Sequence, residues 1–177
     1  MEFTVILALI LLNGIFAMSE VALISARKSS LSADAKKGSG AAKSALELAN
    51  SPDRFLSTVQ IGITLIGILT GIYSGEALAA DFGAFLASSG VPAAYAGFAA
   101  KAVIVVAVTY LTLIFGELVP KRIGLGFAER VAKIVAGPMG ILSKIGAPFV
   151  AVLGGSTSAV LKLLHLDGAS SKVTEEE

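Results

Sequence analysis

The stretch AVIVVAVTYLTLIFGELVPK, residues 102–121, decides the fold class of this chain. From residue 102 to residue 119 it is apolar apart from two threonines and Glu117, its only charge. About 20 mostly apolar residues are enough for an α-helix to cross the hydrocarbon core of a bilayer. The stretch therefore predicts a transmembrane helix that carries a carboxylate near its end.

Two more apolar runs of spanning length precede this one, at residues 3–24 and 55–80. The first run lacks a basic leading segment and a cleavage site of small residues, so it predicts a retained helix rather than a signal peptide. Between the second and third runs, residues 81–100 are rich in Ala, Gly and Ser. We expect a loop there, with a short interfacial or re-entrant helix at residues 82–86.

Composition supports a membrane protein and excludes several kinds of site. Of 177 residues, 55% are hydrophobic and 15% are charged, whereas soluble domains carry about 25% charged residues. There is no cysteine, and the single histidine is His165. Disulfides, thiolate metal sites and histidine clusters are thereby excluded. Basic residues are not interleaved with aromatic ones, so nucleic acid is not an expected partner.

The distribution of basic residues predicts the orientation. The segment after the first run and the segment after the third are basic, whereas residues 81–100 contain no Lys or Arg. The positive-inside rule then places the N-terminus outside and the C-terminus in the cytoplasm. We expect the plasma (inner) membrane as the location.

The apolar residues 131–166 allow two interpretations. Repeated Gly and Pro interrupt them, and Lys133, Lys144 and Lys162 are spaced through them. A fourth span would bury Lys144 near the middle of the bilayer, which is costly. We therefore predict a kinked juxtamembrane belt helix with snorkelling lysines. Residues 1–168 then form one all-α membrane domain, three spans plus the belt, and residues 169–177 begin a linker.

Polar residues within the spans are the first candidates for function, because they are expensive in a membrane. In the second span they recur at helical spacing, which predicts one narrow stripe: Gln60, Thr64, Gly67, Gly71 and Ser74. Helix packing alone also explains the glycines. In the first span, Asn13 lies near mid-membrane, whereas Glu20 is close enough to Arg27 and Lys28 to be an interfacial ion pair.

The third span holds the most specific combination, Gly116-Glu117 followed by Pro120-Lys121. Pro120 has no N–H to donate to the carbonyl of Gly116, so that oxygen is free of the usual helical bond. A neutral and an anionic oxygen side by side suit a hard cation such as Mg²⁺ or Ca²⁺. The alternative is a helix end at which Pro120 terminates the helix and Glu117 pairs with Lys121.

Three segments resemble the membrane domain of the CorC/CNNM (cyclin M) family of Mg²⁺ transport proteins. They are NGIFAMSEVAL at residues 13–23, RFLSTVQIGITL at 54–65 and FGELVPK at 115–121. The resemblance covers essentially the whole chain, including VTEEE at residues 173–177, which is similar to the family's junction with its cytoplasmic part.

This resemblance implies a homodimer with one Mg²⁺ site per protomer. By position, Glu117 and Gly116 match the family's acidic and carbonyl ligands, and Asn13, Ser19 and Thr64 fall at its polar positions. The resemblance also implies ion-gradient-driven Mg²⁺ export, with Na⁺ as a possible coupling ion. In full-length relatives a cytoplasmic pair of CBS domains that binds ATP follows this region.

Two other functions compete with transport. A membrane module of this kind can sense Mg²⁺ and signal to its cytoplasmic part without moving the ion. An intramembrane enzyme is the third, and we do not expect one, because the sequence offers no Ser/His pair, no metal-binding His motif and no paired carboxylates. The lack of a P-loop also excludes ATP hydrolysis within this segment.

Overall fold

The computed structural model describes residues 2–164, and this part of the chain consists of helices and short turns. The α-helices are α1 (Glu2–Ser25), α2 (Lys28–Lys36), α3 (Gly40–Asn50), α4 (Pro52–Tyr73), α5 (Ala79–Ser88), α6 (Ala93–Leu113), α7 (Val119–Gly126) and α8 (Ala128–Leu163). Two π-helical segments, Ser74–Leu78 and Ile114–Leu118, join α4 to α5 and α6 to α7. His165 and the predicted linker at 169–177 lie outside the described residues.

The second and third helices extend beyond the spans predicted for them. The second helix continues without a break into α5, and α6 begins at Ala93 rather than near residue 102. The expected loop at residues 81–100 shrinks to a turn at residues 89–92, where Gly90 takes a φ of 97° that favours glycine. Small residues such as Ala and Gly indicated a loop, but here they pack α5 against α6.

The predicted belt region is one continuous helix. α8 runs for 36 residues and passes through Pro138 and Pro148. By length and composition, four helical stretches among the described residues are able to cross a membrane, and α8 is one of them. The chain is therefore an all-α, multi-pass membrane protein.

Helix α1 is central, with contacts to α4, α7 and α8. It runs parallel to the third helix, which is formed by α6, the second π-helical segment and α7. Their contacts advance together along both helices: Ile10 with Gly116, Gly14 with Pro120, and Met18 with Gly124. Phe16 of α1 also touches Gly62 of α4. The four-residue steps on α1 put all three partners of the third helix on one face. Glycine is needed where the two backbones come closest.

Replacing Gly124 by Ala should destabilise the fold, because the new Cβ would lie 2.7 Å from the carbonyl oxygen of Met18. Backbone cannot swing aside as a side chain does, and overpacking of this kind costs about 1–3 kcal/mol. Gly126→Ala is the matched control on the same helix, since nothing lies within 4 Å of its Cβ position. The measurement is thermal unfolding in detergent. Equal melting temperatures for the two variants would contradict the α1–α7 contact.

Ion pairs connect the first half of α8 to the short helices between α1 and α4. Arg27 donates to Glu129 over 2.7 Å, and Lys133 donates to Asp34 of α2 over 2.8 Å. The Lys133 ammonium holds the pKa of the Asp34 carboxyl below its usual range. The connection to α2 therefore weakens when pH falls far enough to protonate Asp34. All the buried residues of α8 lie in this half, up to Ser143.

Candidate cation site beside the second π-helical segment

The second π-helical segment (Ile114–Leu118) contains the Gly116-Glu117 pair. The N–H of Val119 donates to the carbonyl of Ile114, five residues earlier, rather than to one four residues earlier. Pro120 then occupies the first turn of α7, where the absence of its N–H is tolerated. Pro120 therefore does not end the helix, which corrects the terminator interpretation. A π-helical turn inside an α-helix is frequently found at a functional site.

Asn13 of α1 donates a hydrogen bond to the carbonyl oxygen of Gly116, which has no helical donor at Pro120. Its Nδ2 donates to the oxygen of Gly116 over 3.0 Å, and its side chain is 6% exposed. The other amide atom, Oδ1, is buried without a hydrogen-bond partner among the described residues. A buried acceptor without a donor costs roughly 1–3 kcal/mol. This oxygen is therefore an open position for a cation or for a donor group.

Thr112 is a further candidate residue, which the sequence pattern alone did not single out. Its methyl group lies 3.4 Å from the Cβ position of Gly116, and its hydroxyl is buried without a partner in the described part of the chain. It borders a cavity of about 180 Å³ between α4 and α6. Thr70, Thr109 and Ser74 also line this cavity. In the sequence, the signal for it was the spacing of Thr109 and Thr112, which lie one helical turn apart on an otherwise apolar span. Asn13 and Thr112 thus both lie next to Gly116, and each has a buried oxygen without a partner among the described residues.

The Glu117 carboxylate has a cation beside it in this structure, its own Lys121. The Lys121 Nζ is 2.8 Å from Glu117 Oε1 and 4.0 Å from Glu20 Oε2. The predicted i, i+4 pair is therefore formed, and Glu20 joins it rather than Arg27 or Lys28. The Glu117 side chain is 42% exposed, so it remains accessible from outside the helix packing.

The remaining predicted residues are dispersed. Ser19 is fully buried, and its hydroxyl donates to the carbonyl of Ile15 within α1. Gln60 and Thr64 line a groove between α4 and α8 that contains none of Asn13, Gly116 or Glu117. The stripe predicted along α4 is thus divided between two cavities. Its other half, Gly67, Gly71 and Ser74, faces α6 beside Thr112.

The polar groups next to Gly116 are hard oxygen donors: its own carbonyl, the Asn13 amide and the Thr112 hydroxyl. The Glu117 carboxylate belongs to the next residue and is bound to Lys121. No group of three or more His, Cys, Asp or Glu side chains occurs in the described residues. Oxygen-only donors suit Mg²⁺, Ca²⁺ or an ammonium ion and disfavour softer transition metals.

Comparison with known proteins identifies the family. The model of the cyclin M transmembrane N-terminal domain (CNNM) matches residues 4–177. The chain belongs to the CNNM family. The resemblance found in the three sequence segments is thereby confirmed over nearly the whole chain.

Several curated CNNM relatives match most or all of the chain. The UPF0053 protein sll0260 of Synechocystis is 48% identical over 178 residues, covering 100% of this chain and 40% of that protein. Polyamine export proteins are also similar. That of Haemophilus influenzae is 32% identical over 82% of this chain, and that of Escherichia coli K12 is 31% identical over 92%. The chain spans 33% and 36% of those two exporters, so it corresponds to less than half of each of these relatives.

Proposed function

We propose that this CNNM domain transports Mg²⁺ and binds it, stripped of most of its water, beside the second π-helical segment. The unpaired, buried Oδ1 of Asn13 carries this proposal. It lies next to the Gly116 carbonyl, one residue from the Glu117 carboxylate, and a bound cation would satisfy it. Thr112 adds a second unpaired oxygen. Ser19 and Thr64 remain predicted ligands that the geometry of one protomer does not support.

A second candidate substrate is a polyamine. Two relatives are named polyamine export proteins, and in this structure Glu117 and Glu20 hold a primary ammonium group, that of Lys121. The ends of a polyamine have the same chemistry. We favour Mg²⁺ because the unpaired oxygens of Asn13 and Thr112 are buried, where a small ion fits more readily than a polyamine chain. The cavity that Thr112 lines has a volume of only about 180 Å³, below the usual range of about 300–1,000 Å³ for small-molecule pockets.

Flux through reconstituted protein distinguishes these functions. Proteoliposomes that contain a Mg²⁺-sensitive dye should show Mg²⁺ entry down its gradient, driven faster by an opposing Na⁺ gradient if Na⁺ is the coupling ion. Radiolabelled spermidine should not accumulate above the level of empty liposomes. Spermidine flux without Mg²⁺ flux would instead establish the polyamine function. Mg²⁺-dependent stabilisation without any flux would favour a sensing module.

For the full-length protein we propose a homodimer in the plasma membrane, with three spans per protomer, the N-terminus outside and a cytoplasmic CBS-domain pair that binds ATP. The first half of α8 packs on α3 and forms an ion pair with Asp34 of α2, which supports the belt interpretation. Both short helices belong to the basic segment that the positive-inside rule places in the cytoplasm.

The absence of native cysteine makes this topology testable by labelling. We expect Lys162→Cys, near the end of α8, to react with an impermeant maleimide from the same side as Lys28→Cys, and Ser89→Cys from the opposite side. The reason is that a belt helix does not cross the bilayer, so both of its ends stay on the cytoplasmic side. Labelling of Lys162→Cys from the Ser89 side would show that α8 is a fourth span.

A further inference from the structure

A polar cleft lies between α3 and α8, outside the proposed cation site. Its volume is about 270 Å³, and its lining includes two basic side chains, Arg54 and Lys144. The carboxylate Glu47 and the hydroxyl groups of Ser44, Ser51 and Ser143 also line it. Neither Arg54 nor Lys144 forms an ion pair within residues 2–164. With Glu47 counted against Arg54 and Lys144, the side chains that line the cleft carry one net positive charge and several hydroxyl groups.

Arg54 also borders a second, larger cavity, so the two are adjacent. This is the α4–α8 groove, about 980 Å³, whose walls are mainly aliphatic: Ile61, Leu65, Ile68, Val150 and Leu153. The carboxylate Asp53 also lines it, as do Gln60 and Thr64, which the cation site does not use. An apolar groove that opens into a basic cleft has the polarity of a phospholipid, with acyl chains at one end and a phosphate at the other.

We propose that the cleft and groove together bind one anionic glycerophospholipid. Arg54 and Lys144 bind its phosphate, and an acyl chain lies along α4 and α8 in the groove. Basic pockets between helices at the cytoplasmic side of a membrane are typical sites for acidic headgroups. Phosphatidylglycerol fits the cleft, since its glycerol hydroxyls can donate to the Glu47 carboxylate. The two basic groups favour it over phosphatidylcholine. This inference does not depend on which substrate the protein transports.

Native mass spectrometry of the protein from nanodiscs containing equal phosphatidylglycerol and phosphatidylcholine tests the proposal. We expect wild-type protein to retain phosphatidylglycerol with an enrichment on the order of tenfold, which corresponds to about 1.4 kcal/mol. The double variant Arg54→Gln/Lys144→Gln should lose this enrichment. A control with the same change in charge, Lys28→Gln/Lys162→Gln, should keep it, because neither residue lines the cleft.

A groove-filling variant, Ala151→Phe, separates this lipid from a second copy of the chain in the groove. If lipid occupies the groove, the variant loses phosphatidylglycerol and keeps its oligomeric mass. Loss of oligomeric mass with lipid retention unchanged would show that another protomer fills the groove, and would overturn the proposal. Equal retention of the two lipids by wild-type protein would overturn it as well.

Discussion

Glu117→Gln is expected to abolish Mg²⁺ flux and to remove the stabilisation of the protein by Mg²⁺. The substitution keeps the shape and an oxygen but removes the only negative charge in the second π-helical segment. We expect the affinity to fall by about 100-fold or more, since changes to groups that merely orient metal ligands cost about 10–100-fold. Wild-type protein should melt at a higher temperature in millimolar Mg²⁺, because a ligand that binds only the folded state stabilises it.

The stability without Mg²⁺ separates loss of binding from misfolding. The Glu117–Lys121 pair is partly exposed, and exposed pairs contribute only about 0–1 kcal/mol. The melting temperature of Glu117→Gln without Mg²⁺ should therefore stay near that of the wild type. Asp81→Asn, which changes an exposed carboxylate on α5, is the control and should retain both flux and stabilisation. Wild-type flux in Glu117→Gln would contradict the role of this carboxylate.

Asn13→Leu is expected to have the second large effect, on both stability and Mg²⁺ binding. Leucine has a similar volume but cannot donate to the Gly116 carbonyl, which lies in buried surroundings. An unpaired buried carbonyl costs about 1–3 kcal/mol, and the substitution also removes the unpaired Oδ1. We therefore expect a lower melting temperature without Mg²⁺ and no further rise when Mg²⁺ is added.

The matched control for Asn13→Leu is Asn50→Leu, at the exposed end of α3. It makes the same chemical change away from the π-helical segment and should leave the response to Mg²⁺ intact. If Asn13→Leu keeps a wild-type rise in melting temperature with Mg²⁺, the Asn13 oxygen is not a ligand. The bond to Gly116 would then serve helix packing alone.

The membrane class of this protein follows from its sequence because long apolar runs have few stable alternatives to spanning helices. The helix ends were less predictable. Residues 81–100 contain small residues that are compatible with a loop, and their packing as α5 and α6 depends on contacts between distant residues such as Gly83 and Ala100. Likewise, Pro138 and Pro148 are compatible with helix ends, whereas α8 continues through both.

Part of the candidate site was also predictable. The sequence of Gly116, Glu117 and Pro120 indicates a free carbonyl beside a carboxylate, and the polarity of Asn13 singles it out on an apolar helix. The sequence does not show that Asn13 donates to that carbonyl, because the two residues are 103 positions apart. For the same reason Thr64 was grouped with the site although it faces α8, and Thr112 was missed although it borders Gly116.

A structure determined with Mg²⁺ present tests the central claim most directly. Mg²⁺ binds oxygen at about 2.0–2.1 Å in nearly octahedral geometry, which distinguishes it from water. We predict an ion in contact with the Gly116 carbonyl, the Asn13 Oδ1 and the Glu117 carboxylate, with Lys121 moved away from Glu117. An unchanged Glu117–Lys121 pair, with no ion beside Asn13 at saturating Mg²⁺, would contradict the proposed site.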